Sequence, residues 1–211
     1  MNLRQFCEND TSLNKQVSRL EHLGILHARR LDQFSKMLPV SLASLIIASG
    51  VACIDTEYGA DALGIMQFVE ANDIVGQGEI TISEPVRAET RKNGIDKVFG
   101  VYEQYAENMG HNLSIVRSDF NGVLGWQKYG AIFWLNMYPE FCDVKSLVSR
   151  LKRCNNNLIS GGVALLTQVE HSMYEEERYE KVMRIGLDNE LNIQLVEELG
   201  MLGSIGILLQ N

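Results

Sequence analysis

Residues 199–209 (LGMLGSIGILL) carry no charge, yet they run almost to the C-terminus, where chains ordinarily fray into polar residues. An apolar run in that place has to be covered. Either it folds back into the chain's own core as a terminal strand or helix, or it forms a patch that a partner buries. On the second reading Met201, Leu202, Ile205, Ile207, Leu208 and Leu209 are the contact residues.

The 211 residues suffice for one domain, residues 1–211, with a core that needs neither disulfides nor metal. Only 3 prolines occur, which together with long periodic stretches favours helices. The net charge of −8 disfavours a nucleic-acid backbone as partner, because such binding needs clustered cations to displace counterions. The one locally basic piece, Lys145, Arg150, Lys152 and Arg153, reads as a solvated helix end, with a DNA-associated regulator as a weaker alternative. Cysteines stand at 7, 53, 142 and 154 with no CxxC pair, so free thiols in a reducing cytoplasm are expected. The N-terminus has no apolar signal region, and the longest apolar stretch, residues 42–54, is too short to span a bilayer. A cytoplasmic protein without membrane insertion is the expectation.

From residue 12 to 38, Leu13, Val17, Leu20, Gly24, His27, Leu31, Phe34 and Leu38 recur at alternating spacings of four and three, the seam of a packed helix pair. Residues 40–54 are apolar on nearly every face and read as a central buried helix. A third helix is expected over 60–75. Residues 79–84 (EITISE) alternate with period two and are the best strand candidate, with 111–120 and 123–126 as further short strands. A helix over 95–110, an aromatic core helix over 128–138, a short helix from 144, a long helix over 163–185 and a last one over 190–199 complete the reading. The expected fold is helix-dominated α+β, with six to eight helices and a two- or three-stranded sheet near the middle of the chain.

No constellation reaches a catalytic, cofactor-binding or metal assignment, and no cofactor is expected. His22 and His27 do not share a helical face, and His27 falls within the apolar seam. Glu107 and His111 are separated by the helix-ending Gly110, and Glu170-His171 has no second copy, as a di-iron bundle would require. Glycines at 200, 203 and 206 have no helix after them, so they form no dinucleotide fingerprint. Ser160-Gly161-Gly162 reads as a turn leading into a helix.

Residues 58–68 (YGADALGIMQF) resemble the GA-x-GLMQ stretch of lytic transglycosylases and goose-type lysozymes. Those families place a catalytic Glu at the end of an apolar helix some way upstream; this chain has Ala48 and Ser49 there. The resemblance implies a muramidase-like hydrolase or a degenerate relative of one, with Asp55, Glu57 or Glu70 as the acid. The leading expectation is different: a non-enzymatic adaptor, chaperone or scaffold subunit that self-associates or binds a protein partner. It rests on the uncharged C-terminal run and on a helix seam that contains Gly24 and His27.

Overall fold

The computed structural model describes residues 2–7, 10–54, 59–84, 94–118, 123–125, 127–134, 144–169, 175–196 and 204–211. Asp10 accepts the Leu13 backbone N–H at 3.0 Å and opens helix α1 (Thr11–Met37). Ser41 accepts that of Ser44 at 3.2 Å and opens α2 (Leu42–Ser49). The apolar run does not continue as one helix. Gly50 takes φ +70° and ψ −174°, a conformation that ends α2, and the next residues form strand β1 (Val51–Ile54), buried throughout.

The remaining elements are α3 (Ala60–Ala71), β2 (Glu79–Ser83), α4 (Ile95–Met109), β3 (Asn112–Val116), β4 (Tyr129–Trp134), α5 (Val144–Asn156), β5 (Leu158–Val169), α6 (Glu175–Asp188), β6 (Asn192–Val196) and β7 (Ser204–Gln210). The strands form one seven-stranded sheet in the order β3-β2-β1-β4-β5-β7-β6. The pairs β3/β2, β2/β1, β1/β4 and β4/β5 are parallel, whereas β7 runs antiparallel to both β5 and β6. Among the described residues β7 is thus the one reversed strand.

Alternate residues of β1, β4 and β5 feed two separate cores. Val51, Cys53, Ala131, Phe133, Val163 and Leu165 face a layer built by α1, α3 and α4. Ala52, Ile54, Ile132, Trp134, Ala164 and Leu166 face the layer of α5 and α6. This is a doubly wound α/β fold, and the expected helix-dominated α+β fold with a small sheet is overturned. The physical reason is the double coverage: a strand buried on both faces has no polar side and reads as a continuous apolar run rather than an alternation. Hence 128–138 contains β4, 163–185 contains the end of β5, and 190–199 contains β6, where helices were expected. The short strand expected at 123–126 is absent over its described residues 123–125. The one-face patterns were read correctly: α1, α4 and α5 stand where their periodicities put them, and β2 and β3 lie within the two strand candidates.

The seam of α1 packs within the chain, on α3. A Cβ on Gly24 would lie 2.8 Å from the Leu63 Cβ, and one on Gly64 would lie 2.5 Å from the His27 Cβ, so the two glycines allow the helices to touch. Gly24 and His27 are features of an intramolecular contact, not of a surface awaiting a partner. From Ser204 on, the C-terminal run is strand β7. Ile207, Leu208 and Leu209 are buried between β5 and β6, Ile205 pairs with Gln168, and Met201 and Leu202 lie outside the described residues.

Candidate functional site

In a doubly wound sheet a ligand binds in the crevice outside the carboxyl ends of the strands where the winding reverses. Here the chain winds outward from β1 through α3, β2, α4 and β3, then returns to β4 and winds the other way through α5 and β5. The switch point lies between β1 and β4. The segment that leaves β1 there, residues 55–58, is outside the described residues, and with it Asp55 and Glu57.

Gly59 follows at φ +77° and caps α3; a Cβ there would lie 2.5 Å from Tyr102 Cε2 and 2.9 Å from Phe99 Cε1. Both the left-handed backbone and the crowding call for glycine. Asp61, in the first turn of α3, is a buried carboxylate, 5% exposed. Its Oδ1 lies 3.2 Å from His27 Nε2 on α1. Glu84, directly after β2, is equally enclosed at 5% exposure. Its backbone N–H donates to the Val116 carbonyl at 3.1 Å, which extends the β2–β3 ladder past the strand end, and Ser83 Oγ donates to the Ser118 carbonyl at 2.7 Å. Trp134 closes β4, buried, with the Arg150 guanidinium 4.3 Å from its ring centroid.

The electrostatics centre on Asp61. Burial and then the nearby Arg30 charge lower the His27 pKa to about 4, so the imidazole is neutral and its Nε2–H donates to the Asp61 carboxylate 3.2 Å away. Burial, and then Asp61, raise the Tyr102 hydroxyl and the Cys53 thiol well above their ordinary values. Burial lowers Arg30, against the pull of Asp61. A stability prediction follows from His27. Its ordinary pKa in the unfolded chain is about 6.5, so between there and pH 4 the unfolded state takes up a proton that the folded state refuses. Stability is therefore full above pH 6.5 and falls as pH drops through that window, by about 3 kcal/mol at most. Denaturant melts at pH 7 and pH 4.5 should show a larger loss for the native chain than for His27→Gln; equal losses would place the imidazole in contact with water.

Glu70 sits elsewhere, at the far end of α3, where it accepts from Tyr105 Oη at 2.5 Å and lies 3.0 Å from His111 Nε2. Burial raises its pKa, but these two hydrogen bonds prevail and leave it below the usual carboxylate range. That is the reverse of a glycosidase acid, which must hold its proton. Two of the four cations on α5 are engaged internally: Arg150 stacks on Trp134, and Arg153 Nη2 donates to the Leu124 carbonyl at 2.6 Å. Among the described residues no three of His, Cys, Asp or Glu converge as metal ligands. Cys7, Cys53 and Cys154 are buried free thiols, and Cys142 lies outside the described residues.

The sequence reading missed Asp61 and Glu84. The signal for Glu84 was present, an acid ending the EITISE alternation, but it acquires meaning only once β1 is recognised as the parallel neighbour of β2.

No family model matches the sequence, and no curated protein does. Solved structures do match. An S-adenosylmethionine-dependent methyltransferase from Clostridium acetobutylicum superposes with a TM-score of 0.56 at 12% identity, over 88% of this chain and 90% of that one. A putative O-methyltransferase from Nostoc punctiforme gives 0.54 at 13% identity over 81% of this chain, which spans about half (54%) of its length. A methyltransferase from Pyrococcus furiosus gives 0.50 at 14% identity, over 76% and 73% of the two chains. The chain therefore has the Rossmann-like α/β fold of these methyltransferases. This overturns the expected adaptor or scaffold subunit, whose support was a helical seam and an uncharged C-terminal run; over their described residues both pack inside this α/β fold. The muramidase-like alternative falls as well, because residues 60–68 of YGADALGIMQF belong to α3, a helix that follows β1 of the parallel sheet.

Proposed function

We propose that the chain is an S-adenosylmethionine-dependent methyltransferase, with its cofactor in the crevice between the carboxyl ends of β1 and β4. The observation that carries this reading is the strand order β3-β2-β1-β4-β5-β7-β6 with β7 alone reversed, in the fold of the methyltransferases above.

The residues at that edge fit the cofactor's chemistry. It contains an adenosine but no phosphate, and its methionine end carries a cationic sulfur. The connection from β1 to α3 reads Asp55-Thr56-Glu57-Tyr58-Gly59, with one glycine where a pyrophosphate-cradling loop needs three. Asp61, in the first turn of α3, and Glu84, directly after β2, are buried carboxylates. An edge of this sign attracts a cation and repels a phosphate. Glu84 is the residue to accept the ribose hydroxyls, the part that an acid plays beyond the first helix in nucleotide-binding sheets of this winding. Gly59 turns the backbone sharply into α3. When bound, the cofactor supplies a methyl group on a positively charged sulfur. The chain's own residues hold the nucleoside, orient the cationic end toward the switch point and keep that edge poor in water.

Calorimetry and thermal melts test the reading. S-adenosylmethionine and S-adenosylhomocysteine are expected to bind and raise the melting temperature, whereas NAD is not. Glu84→Gln should weaken both ligands about 10- to 100-fold, the value of hydrogen bonds to a charged acceptor, with the ligand-free melting temperature little changed. Absence of heat and of any melting shift with either ligand at millimolar concentration would sink the proposal.

A further inference from the structure

Helix α1 adds no strand to the sheet, yet it lies along α3, whose first turn opens onto the crevice. Its register there is fixed by close contacts: Gly24 against Leu63 and Gly64 against His27 leave no room for sliding. That register puts one polar side chain of α1, His27, onto the Asp61 carboxylate, with His27 Nε2 and Asp61 Oδ1 3.2 Å apart and side-chain exposures of 11% and 7%. Arg30, one turn on, contributes its charge to the same carboxylate. Asp61 stands two residues after Gly59, in the first turn of the helix that follows the carboxyl end of β1.

We propose that α1 is a clasp on the cofactor crevice and that His27 is the positioning residue of Asp61, so that filling the crevice and seating α1 are coupled. The inference rests on the reading of that crevice as a cofactor site. The physical ground is reciprocity. If Asp61, in the orientation His27 gives it, favours the bound cofactor, then the bound cofactor favours the α1–α3 contact by the same factor. A neutral imidazole suits the task, because it offers one directed N–H and adds no charge of its own to the carboxylate.

The test combines cofactor affinity by calorimetry with amide hydrogen exchange of residues 24–31, with and without S-adenosylmethionine. In the native chain the cofactor should slow exchange over 24–31 about fivefold or more, the lower range of ordinary coupling energies. His27→Gln keeps an N–H donor and should bind within about threefold of the native chain, whereas His27→Leu, of similar bulk but without a donor, should bind about tenfold more weakly and lose the cofactor-dependent protection. A native chain that binds the cofactor with no change over 24–31, or a folded His27→Leu with native affinity, overturns the clasp and leaves the cofactor site standing. A native chain that does not bind the cofactor overturns both. Should His27→Leu fail to fold, the exchange comparison on the native chain decides alone.

Discussion

A chain ending at residue 200 is expected to be unfolded or aggregated, with no cooperative melt. The deletion removes β7, which pairs with β5 from Val163↔Gln210 to Val169↔Ser204 and with β6 from Asn192↔Gln210 to Val196↔Gly206. It therefore opens two strand edges, on β5 and on β6, rather than trimming one from the margin of the sheet, and unpaired edges are templates for association. Ile207, Leu208 and Leu209 are 0%, 3% and 0% exposed, and Leu208 serves one core while its two neighbours serve the other. Burial of three such side chains contributes about 5–9 kcal/mol, comparable with a domain's whole stability. Even the last residue is tied in: Gly161 N–H donates to the Asn211 carbonyl at 2.7 Å, and Asn211 N–H donates to that of Gly162 at 3.0 Å. Far-UV circular dichroism and sizing of the truncated chain read the result, and a monomeric, cooperatively melting product would mean that β5 and β6 can close without β7.

The C-terminal run shows where the sequence was informative and where it was not. That 199–209 had to be covered follows from its lack of charge; whether as strand, helix or interface does not, because residues that alternate between two apolar cores leave no periodic trace. The same loss hides β1, β4 and β5, and with them the parallel order that creates the switch point. Where one face meets solvent, the pattern survives, as in α1, with Val17, Leu20, Gly24, His27, Leu31 and Phe34 buried at helical spacing. Gly24 and His27 looked out of place in a seam because its partner, α3, carries the matching Gly64 and Asp61 only after the chain has passed through β1. The site was hidden for the same reason. Asp61 and Glu84 belong to separate segments, and only the β1–β2 pairing, Val51↔Ile80 to Ile54↔Ser83, carries both segments to one edge.

The opposite edge of the sheet supports the second large effect: Gly130→Ala is expected to cost about 3 kcal/mol or more, as does forcing a group into a space already filled by backbone. The C-terminus of α2 abuts the amino ends of the strands, and a Cβ on Gly130 would lie 1.8 Å from the Leu45 carbonyl oxygen and 2.5 Å from its carbon. Neither partner can yield easily. Helix α2 is anchored by Leu42, Leu45 and Ile46, all buried, and by Ser49 Oγ donating to the Lys128 carbonyl at 2.7 Å. Strand β4 is held by Gly130 N–H donating to the Gly50 carbonyl at 3.0 Å, at a point where the β4–β5 register already shifts between Tyr129 and Ala131. The melting temperature should fall by about 6–12 °C, the shift such a loss produces in a chain of this length. Any slip of β4 also moves Trp134 at the switch point, so if the proposed function holds, affinity for S-adenosylmethionine should fall together with stability. Gly100→Ala isolates the steric cause, because a Cβ there meets nothing within 4 Å and the residue lies inside α4. That substitution should raise stability by about 0.5–1 kcal/mol through helix propensity. If both glycine-to-alanine variants melt alike, the close packing of α2 on β4 is absent in solution.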